Sequence, residues 1–352
     1  MTSSIEAAKQ SHSQALLGRS DYIPLLIGTR CPDAPSREAL WKDTAAAVAG
    51  TIRAYEPRRQ IESDWLPSVN IGVFQCIAIP SCFGARVAEI KGSEPICHPH
   101  FADIQQAVDA GVPELESPVI DDLFETLDQA TGALEDGWYL SFPASASPWD
   151  LAQVLLGEEF LIAAMLEPEA TRQFLDNLTT CFIELTRRVK QRMGQGDREY
   201  VSNRGVYAPG YRLPSDAIVN FSPDLLRTYL PGVIDRIAET FGPVIMHFCT
   251  KPAPSGHVLP VLTEIENVMA VDNWQGPDVF IGPDAPARMQ QKVSIIGDVR
   301  IETAEHIDEL LSWPAVTDVP RNGGRGIIFN AWCPDVQHGR EIYAMWQERF
   351  ER

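Results

Sequence analysis

The run Val244-Ile245-Met246-His247-Phe248-Cys249 is apolar almost throughout and carries two residues that bind soft metals, His247 and Cys249. A run this short, without polar alternation, reads as a strand buried on both faces, as in a parallel sheet. The same pattern recurs at Ile23–Gly28, Trp138–Phe142, Tyr200–Tyr207, Val268–Asp272, Val293–Gly297 and Gly326–Cys333. Helical spacing fills the intervals. One helix is expected from about Arg37 to Tyr55. Another follows Pro168, with Phe174, Leu178, Phe182, Leu185 and Val189 on one stripe. Cys181 joins that apolar face, and Arg187, Arg188 and Lys190 lie off it. Ser222-Pro223-Asp224 places an N-cap ahead of a proline at the first helical position and starts a third helix, to about Thr240. This β-α-β-α succession, with no fixed repeat, low-complexity tract or linker, predicts an α/β fold. The expected architecture is a single (β/α)8 TIM barrel over residues 1–352. About 1–20 form an N-terminal extension, and about 56–137 form an irregular insertion.

Composition narrows the partners. The 352 residues hold 48 acidic and 29 basic side chains, a net charge of −19. Nucleic acid and anionic membranes both demand local positive charge and are therefore excluded as principal partners. The hydrophobic share, 45 %, is enough for a sizeable core. The seven cysteines are Cys31, Cys76, Cys82, Cys97, Cys181, Cys249 and Cys333. An odd number at low density, with no compact framework, is the pattern of a reducing compartment. The polar N-terminus lacks the apolar core of a signal peptide. The most apolar run, Phe160–Leu166, is far below the roughly 18 residues that span a bilayer. A cytoplasmic protein is expected, and an oligomer is left open.

The chemistry concentrates at strand ends. Residues i and i+2 of a strand share a face, so His247 and Cys249 project together. Inward residues at the C-terminal ends of barrel strands form the floor of active sites. Cys333 ends the last strand-like run, so one His and two Cys would converge at one mouth. That donor set suits Zn²⁺ with one position open. Two thiolates already balance the metal's charge, which favours holding a substrate thiol as thiolate over activating water. Spacing alone fits equally two small cysteines packing a core.

The segment Gly242–Cys249 after the Ser222-Pro223 helix, and Gly323-Gly324-Arg325-Gly326 leading into Ile327–Cys333, resemble the uroporphyrinogen decarboxylase superfamily. So do Asp64-Trp65-Leu66-Pro67 through Phe83-Gly84-Ala85, and Gly157-Glu158-Glu159-Phe160 ahead of the Pro168 helix. The resemblance implies a (β/α)8 barrel. In one branch, zinc methyltransferases move methyl groups between corrinoid (cobalamin) proteins and thiols such as coenzyme M. The metal pattern of that branch, His-x-Cys followed by a distant Cys, matches His247, Cys249 and Cys333. It implies a corrinoid protein as partner and a thiol or methylated small molecule as co-substrate, in either direction of transfer. The sequence carries no corrinoid-binding Asp-x-His-x-x-Gly motif of its own. Two departures stand out. The arginine-rich motif with which decarboxylases hold tetrapyrrole carboxylates is replaced by Leu26-Ile27-Gly28-Thr29-Arg30-Cys31. Thr250-Lys251-Pro252 follows Cys249 where relatives commonly have glycine.

Further candidates surround this set. Asp272, ending the next strand, is read as an orienter of His247 or a fourth ligand, or else as a helix cap. Asp216, in Pro214-Ser215-Asp216, is a candidate proton relay, or else a solvated loop residue. Tyr207, Trp274 and Trp332 are candidates to wall a planar ligand, with packing as the plainer role. His257 reads as a helix-start residue. Cys97-His98-Pro99-His100 lacks a second pair at finger spacing and reads as loop. Two rival functions remain at this level: a metal-independent decarboxylase or lyase using Asp216, and a non-catalytic corrinoid-binding protein.

Overall fold

The structure, a computed structural model, describes residues 2–72, 76–88, 95–143, 146–249, 255–273, 292–313, 316 and 326–350. Twelve strands and thirteen helices are described here. The first part of the chain runs α1 (Thr2–Leu16), β1 (Leu25–Thr29), α2 (Arg37–Lys42), α3 (Thr44–Tyr55), β2 (Ser68–Val69) and α4 (Ala78–Cys82). It continues through β3 (Val87–Ala88), β4 (Ile96–Cys97), α5 (Ile104–Asp109), α6 (Pro118–Gly132), β5 (Tyr139–Leu140), α7 (Pro148–Leu156) and α8 (Glu159–Leu166). Then come α9 (Pro168–Arg192), β6 (Tyr200–Val201), β7 (Tyr207–Ala208), β8 (Tyr211–Pro214), α10 (Pro223–Phe241), β9 (Val244–His247) and α11 (Val258–Glu264). The last elements are β10 (Val268–Asn273), β11 (Ser294–Val299), α12 (Ala304–Ser312), β12 (Ile327–Cys333) and α13 (Val336–Arg349).

Six strands form one parallel sheet in the order β1-β12-β11-β10-β9-β8. Their near-continuous apolar runs follow from burial on both faces. β2 pairs in parallel with β5, while β3–β4 and β6–β7 are antiparallel pairs. Backbone bonds from Asp64 N–H to the Leu25 carbonyl and from Phe142 N–H to the Val201 carbonyl link the smaller pairs onward. The α/β class and the parallel sheet match expectation. The ladders among the described residues do not show a closed eight-stranded barrel.

Helix boundaries follow local chemistry. Ser222 accepts from Leu225 N–H, and Pro223 opens α10 at the position where a missing N–H costs nothing. The single helix expected over 37–55 is two, because the Asp43 side chain leaves the first helix and caps the second through Ala46 N–H. In α9 the whole apolar stripe and Cys181 are buried, each large side chain contributing about 1.5–3 kcal/mol. Lys190 departs from expectation: it is fully buried. Its ammonium donates to the Gly196 and Glu199 carbonyls beside the rings of Phe142, Tyr211 and Phe241. Tyr200–Tyr207, expected as one strand, is the β6–β7 hairpin. The 56–137 stretch holds α4–α6 and three short strands.

The N-terminal extension is α1, laid across the N-terminal ends of β11 and β12. Ser294 Oγ donates to the Leu16 carbonyl at 2.8 Å, and Gly326 N–H donates to Ser294 Oγ at 3.1 Å. A Cβ at position 326 would lie 2.1 Å from the Ala15 carbonyl oxygen, so only glycine allows this approach. His12 is fully buried and accepts Tyr207 N–H through Nδ1 at 3.0 Å; burial pushes its pKa down to about 4. One end of the sheet is thereby covered, leaving the C-terminal end for chemistry. No helix among the described residues is long and apolar enough to cross a membrane.

Candidate functional site

The site is built on one face of the sheet. His247, 4 % exposed, ends β9 directly opposite Asp272 on β10. Its Nδ1–H donates to the Asp272 carbonyl at 3.0 Å, with the Asp272 carboxylate 3.5 Å away. A carbonyl only accepts, so Nδ1 carries the proton and Nε2 keeps its lone pair. Nε2 lies 3.1 Å from Cys249 Sγ. Burial, reinforced by the Arg212 charge and opposed by Asp272, lowers the His247 pKa and favours the neutral ring that binds metals. This is the support a ligating histidine normally receives from its other nitrogen.

Asp272 is itself held. Arg212 Nε donates to its carboxylate at 2.5 Å, and both residues are 5 % exposed. Burial works against Asp272's charge, but Arg212 and His247 outweigh it and hold the carboxyl below its usual range. Breaking a buried pair of this kind strands a charge, at a cost of about 3–5 kcal/mol. Arg204 pairs with Asp298 nearby, and burial lowers its pKa to about 10. Between Tyr200, Ser202, Arg204, Arg212 and Asp272 the remaining cavity is only about 10 Å³, at the lower limit for one water.

Asp216 closes the cluster from the β8 side. Ser215 N–H donates to the His247 carbonyl at 2.7 Å, and Cys249 N–H donates to Asp216 Oδ1 at 2.6 Å. One ligand atom from each of Asp216, His247 and Cys249 therefore lies within 4.8 Å of the others. Tetrahedral zinc with bonds of 2.0–2.3 Å requires ligand atoms about 3.5 Å apart, so these donors would draw together around the ion. Asp216 and Cys249 are exposed while His247 is buried, which leaves the cluster open on one side. Burial and the Asp216 charge push the Cys249 thiol up to about 11, so its sulfur ionises only when a cation is at hand.

Asp150, in the first turn of α7, was not legible as a site residue. Its two carboxylate oxygens accept Asp216 N–H at 3.0 Å and Ala217 N–H at 2.9 Å. Desolvation, with Asp216 adding, pushes its pKa up to about 7 against those hydrogen bonds. An acid three residues after the N-cap Ser147 reads as a cap of its own helix; nothing local points to a second turn. Arg212 was equally missed. A lone arginine in Tyr211-Arg212-Leu213-Pro214 demands a buried acidic partner, and that demand is a usable signal.

The other candidates are placed as follows. Cys333 is 2 % exposed and does not join the cluster. The parallel register sets His247 opposite Asp272, Asp272 opposite Ile296, Ile296 opposite Ile328 and Asp298 opposite Asn330. Ile328, Asn330 and Trp332 therefore share the face of His247, and Cys333 falls on the other face with Phe329. The Phe329 ring meets Trp346 of α13. Trp332 does lie on the site's face, 60 % exposed, with its ring over Gly28. Tyr207 sits away from the cluster, against α1, with Lys9 Nζ 5.4 Å from its ring centre. Trp274, Thr250-Lys251-Pro252 and Gly323-Gly324-Arg325 lie outside the described residues. Asp272 meets His247 Nδ1–H through its main-chain carbonyl, and its carboxylate is not among the three clustered ligand atoms. His257 precedes α11, as expected, and Cys97, His98 and His100 form no metal cluster among the described residues.

No protein-family model matches the chain, and no curated protein matches its sequence. Among solved structures, a methyltransferase from Methanosarcina mazei is similar over 97 % of this chain and 99 % of its own, with a TM-score of 0.63 and 14 % identity. A structure described as a vitamin-B12-independent methionine synthase from Listeria monocytogenes is similar over 99 % of this chain and 94 % of its own, with a TM-score of 0.46 and 11 % identity. At these identities the likeness concerns architecture: the chain shares the fold of the Methanosarcina mazei methyltransferase.

Proposed function

We propose that the protein is a zinc-dependent methyltransferase on a (β/α)8 barrel, moving a methyl group between a corrinoid protein and a thiol or methylated small molecule. The observation that carries this reading is the convergence of Asp216, His247 and Cys249 at the C-terminal end of the sheet. The fold shared with a methyltransferase supports it.

These three residues would hold the metal. One thiolate and one carboxylate offset the charge of Zn²⁺, as two thiolates would, so the donor set keeps the preference for a thiol substrate over water. Bound there, zinc would hold the methyl acceptor as a thiolate, lowering its pKa while leaving the sulfur nucleophilic. Asp272 fixes the His247 ring, and Arg212 keeps Asp272 ionised. Asp216 fixes the Cys249 backbone. Trp332, exposed on the same face, offers an aromatic surface to a planar ligand at the mouth.

The direct test mixes purified protein with methylcobalamin and a panel of thiols and follows cobalamin absorbance with and without chelator. Methyl transfer that stops on chelation and returns with zinc is expected. Transfer indifferent to the chelator, or none with any thiol or methoxylated donor, would contradict the reading.

A further inference from the structure

We infer that Asp150, with Ser147, is a positioning residue of the site: the first turn of α7 clamps the turn that carries Asp216 and, through it, the backbone of His247 and Cys249. This inference rests on the metal-centre reading for its function and on hydrogen bonds alone for its geometry.

The bonds form one uninterrupted path. Ser147 N–H donates to the Pro214 carbonyl at 2.9 Å, and the Ser147 and Ser215 hydroxyls are 2.9 Å apart. Asp150 takes Asp216 N–H on one oxygen and Ala217 N–H on the other. These are the opening amides of the 3-10 turn Asp216–Asn220, which has no capping side chain of its own. A carboxylate from another element therefore supplies the acceptor that a local cap normally gives. From the clamped turn, Ser215 N–H reaches the His247 carbonyl and Asp216 Oδ1 reaches Cys249 N–H. Four consecutive residues, 214–217, are gripped on one side by α7, and two of them grip the metal-binding strand end on the other.

The arrangement explains a local difficulty. Asp216 is exposed, and an exposed side chain on a short turn has rotamer freedom to lose before it can serve a metal. Fixing the backbone at 216 and 217 removes part of that freedom in advance. Losing a group that orients a ligand typically lowers metal affinity 10–100-fold.

The test compares the wild-type protein with Asp150→Ala, Asp150→Asn and Ser147→Ala. Cobalt(II) alone serves as probe, read through the thiolate-to-cobalt absorption band, together with exchange of individual backbone amides in the metal-free protein. Asp150→Ala is expected to weaken cobalt binding about 10–100-fold with an unchanged far-ultraviolet dichroism spectrum. Asp150→Asn, which keeps one acceptor oxygen, should recover part of that loss, and Ser147→Ala should lose less than Asp150→Ala. In Asp150→Ala the amides of 216 and 217 should lose protection and so should the amide of Cys249, which Asp150 does not touch. If the Cys249 amide stays protected, or cobalt affinity is unchanged, Asp150 merely supports a local turn and the inference fails. If the wild-type protein takes up no cobalt through Cys249, the metal-centre reading falls, and amide exchange alone decides the clamp.

Discussion

The chain after β9 and the end of β12 both carry a cysteine at the same end of one sheet, yet only one cysteine reaches the site. Past β9, His247 faces Asp272 and Cys249 follows two residues later at 3.1 Å from its ring. On β12, Trp332 occupies the inward position over Gly28 while Cys333, one residue on, is buried on the opposite face. The difference is a matter of parity. A strand repeats every two residues, so a ligand displaced by one position exchanges the interior for the helix layer. The third residue clustered with His247 and Cys249 is Asp216, from the turn after β8.

The comparison breaks most severely at the partner of His247. Asp272→Ala leaves Arg212 buried without its carboxylate and takes away the carboxylate 3.5 Å from His247 Nδ1, while the main-chain carbonyl that accepts Nδ1–H stays. A loss of about 3–5 kcal/mol in chemical denaturation is expected, together with metal binding weakened about 10–100-fold. A loss below about 1 kcal/mol would mean that the inner face is not organised around this pair.

The opposite end of the sheet sharpens the contrast, because there the buried polar group is a histidine with no carboxylate to hold it. His12 has its pKa lowered to about 4 by burial, against 6.5 for an ordinary histidine. The unfolded chain takes up a proton that the folded chain refuses, so its contribution is fully present above pH 6.5 and is lost as pH falls toward 4. The size is about 3 kcal/mol. Asp150, raised to about 7, runs the other way, giving up stability as pH rises from about 4 to 7. His12→Asn keeps an acceptor for Tyr207 N–H and removes the titration. Denaturation midpoints should therefore converge on, or cross, the wild-type values as pH is lowered from 7 to 4. Parallel pH profiles for the two proteins would show that His12 titrates normally.

Much of this was legible in the sequence, for definite reasons. Val244–Phe248, Val268–Asp272, Val293–Gly297 and Ile327–Cys333 declare themselves because strands buried on both faces have no polar alternation. Ser222-Pro223 declares the start of α10 through capping chemistry. His247 and Cys249 were legible because i and i+2 need no knowledge of register. Cys333 was not, because its face depends on how β12 is registered against β11 and β1, a long-range property. Asp150 and Arg212 were hidden for the same reason: each acts on residues about 60 positions away. Lys190, charged and yet fully buried, shows that composition at a helical position is overruled when two carbonyls and three rings are waiting for an ammonium.

The most direct test of the central claim is the zinc content of the purified wild-type protein beside Cys249→Ser and Cys333→Ser, each measured by elemental analysis after dialysis. One zinc per chain is expected in the wild type and in Cys333→Ser, and none in Cys249→Ser. Zinc lost equally in both variants would return Cys333 to the metal and contradict the assignment of Asp216, His247 and Cys249. Zinc absent from the wild-type protein after reconstitution would contradict the site altogether.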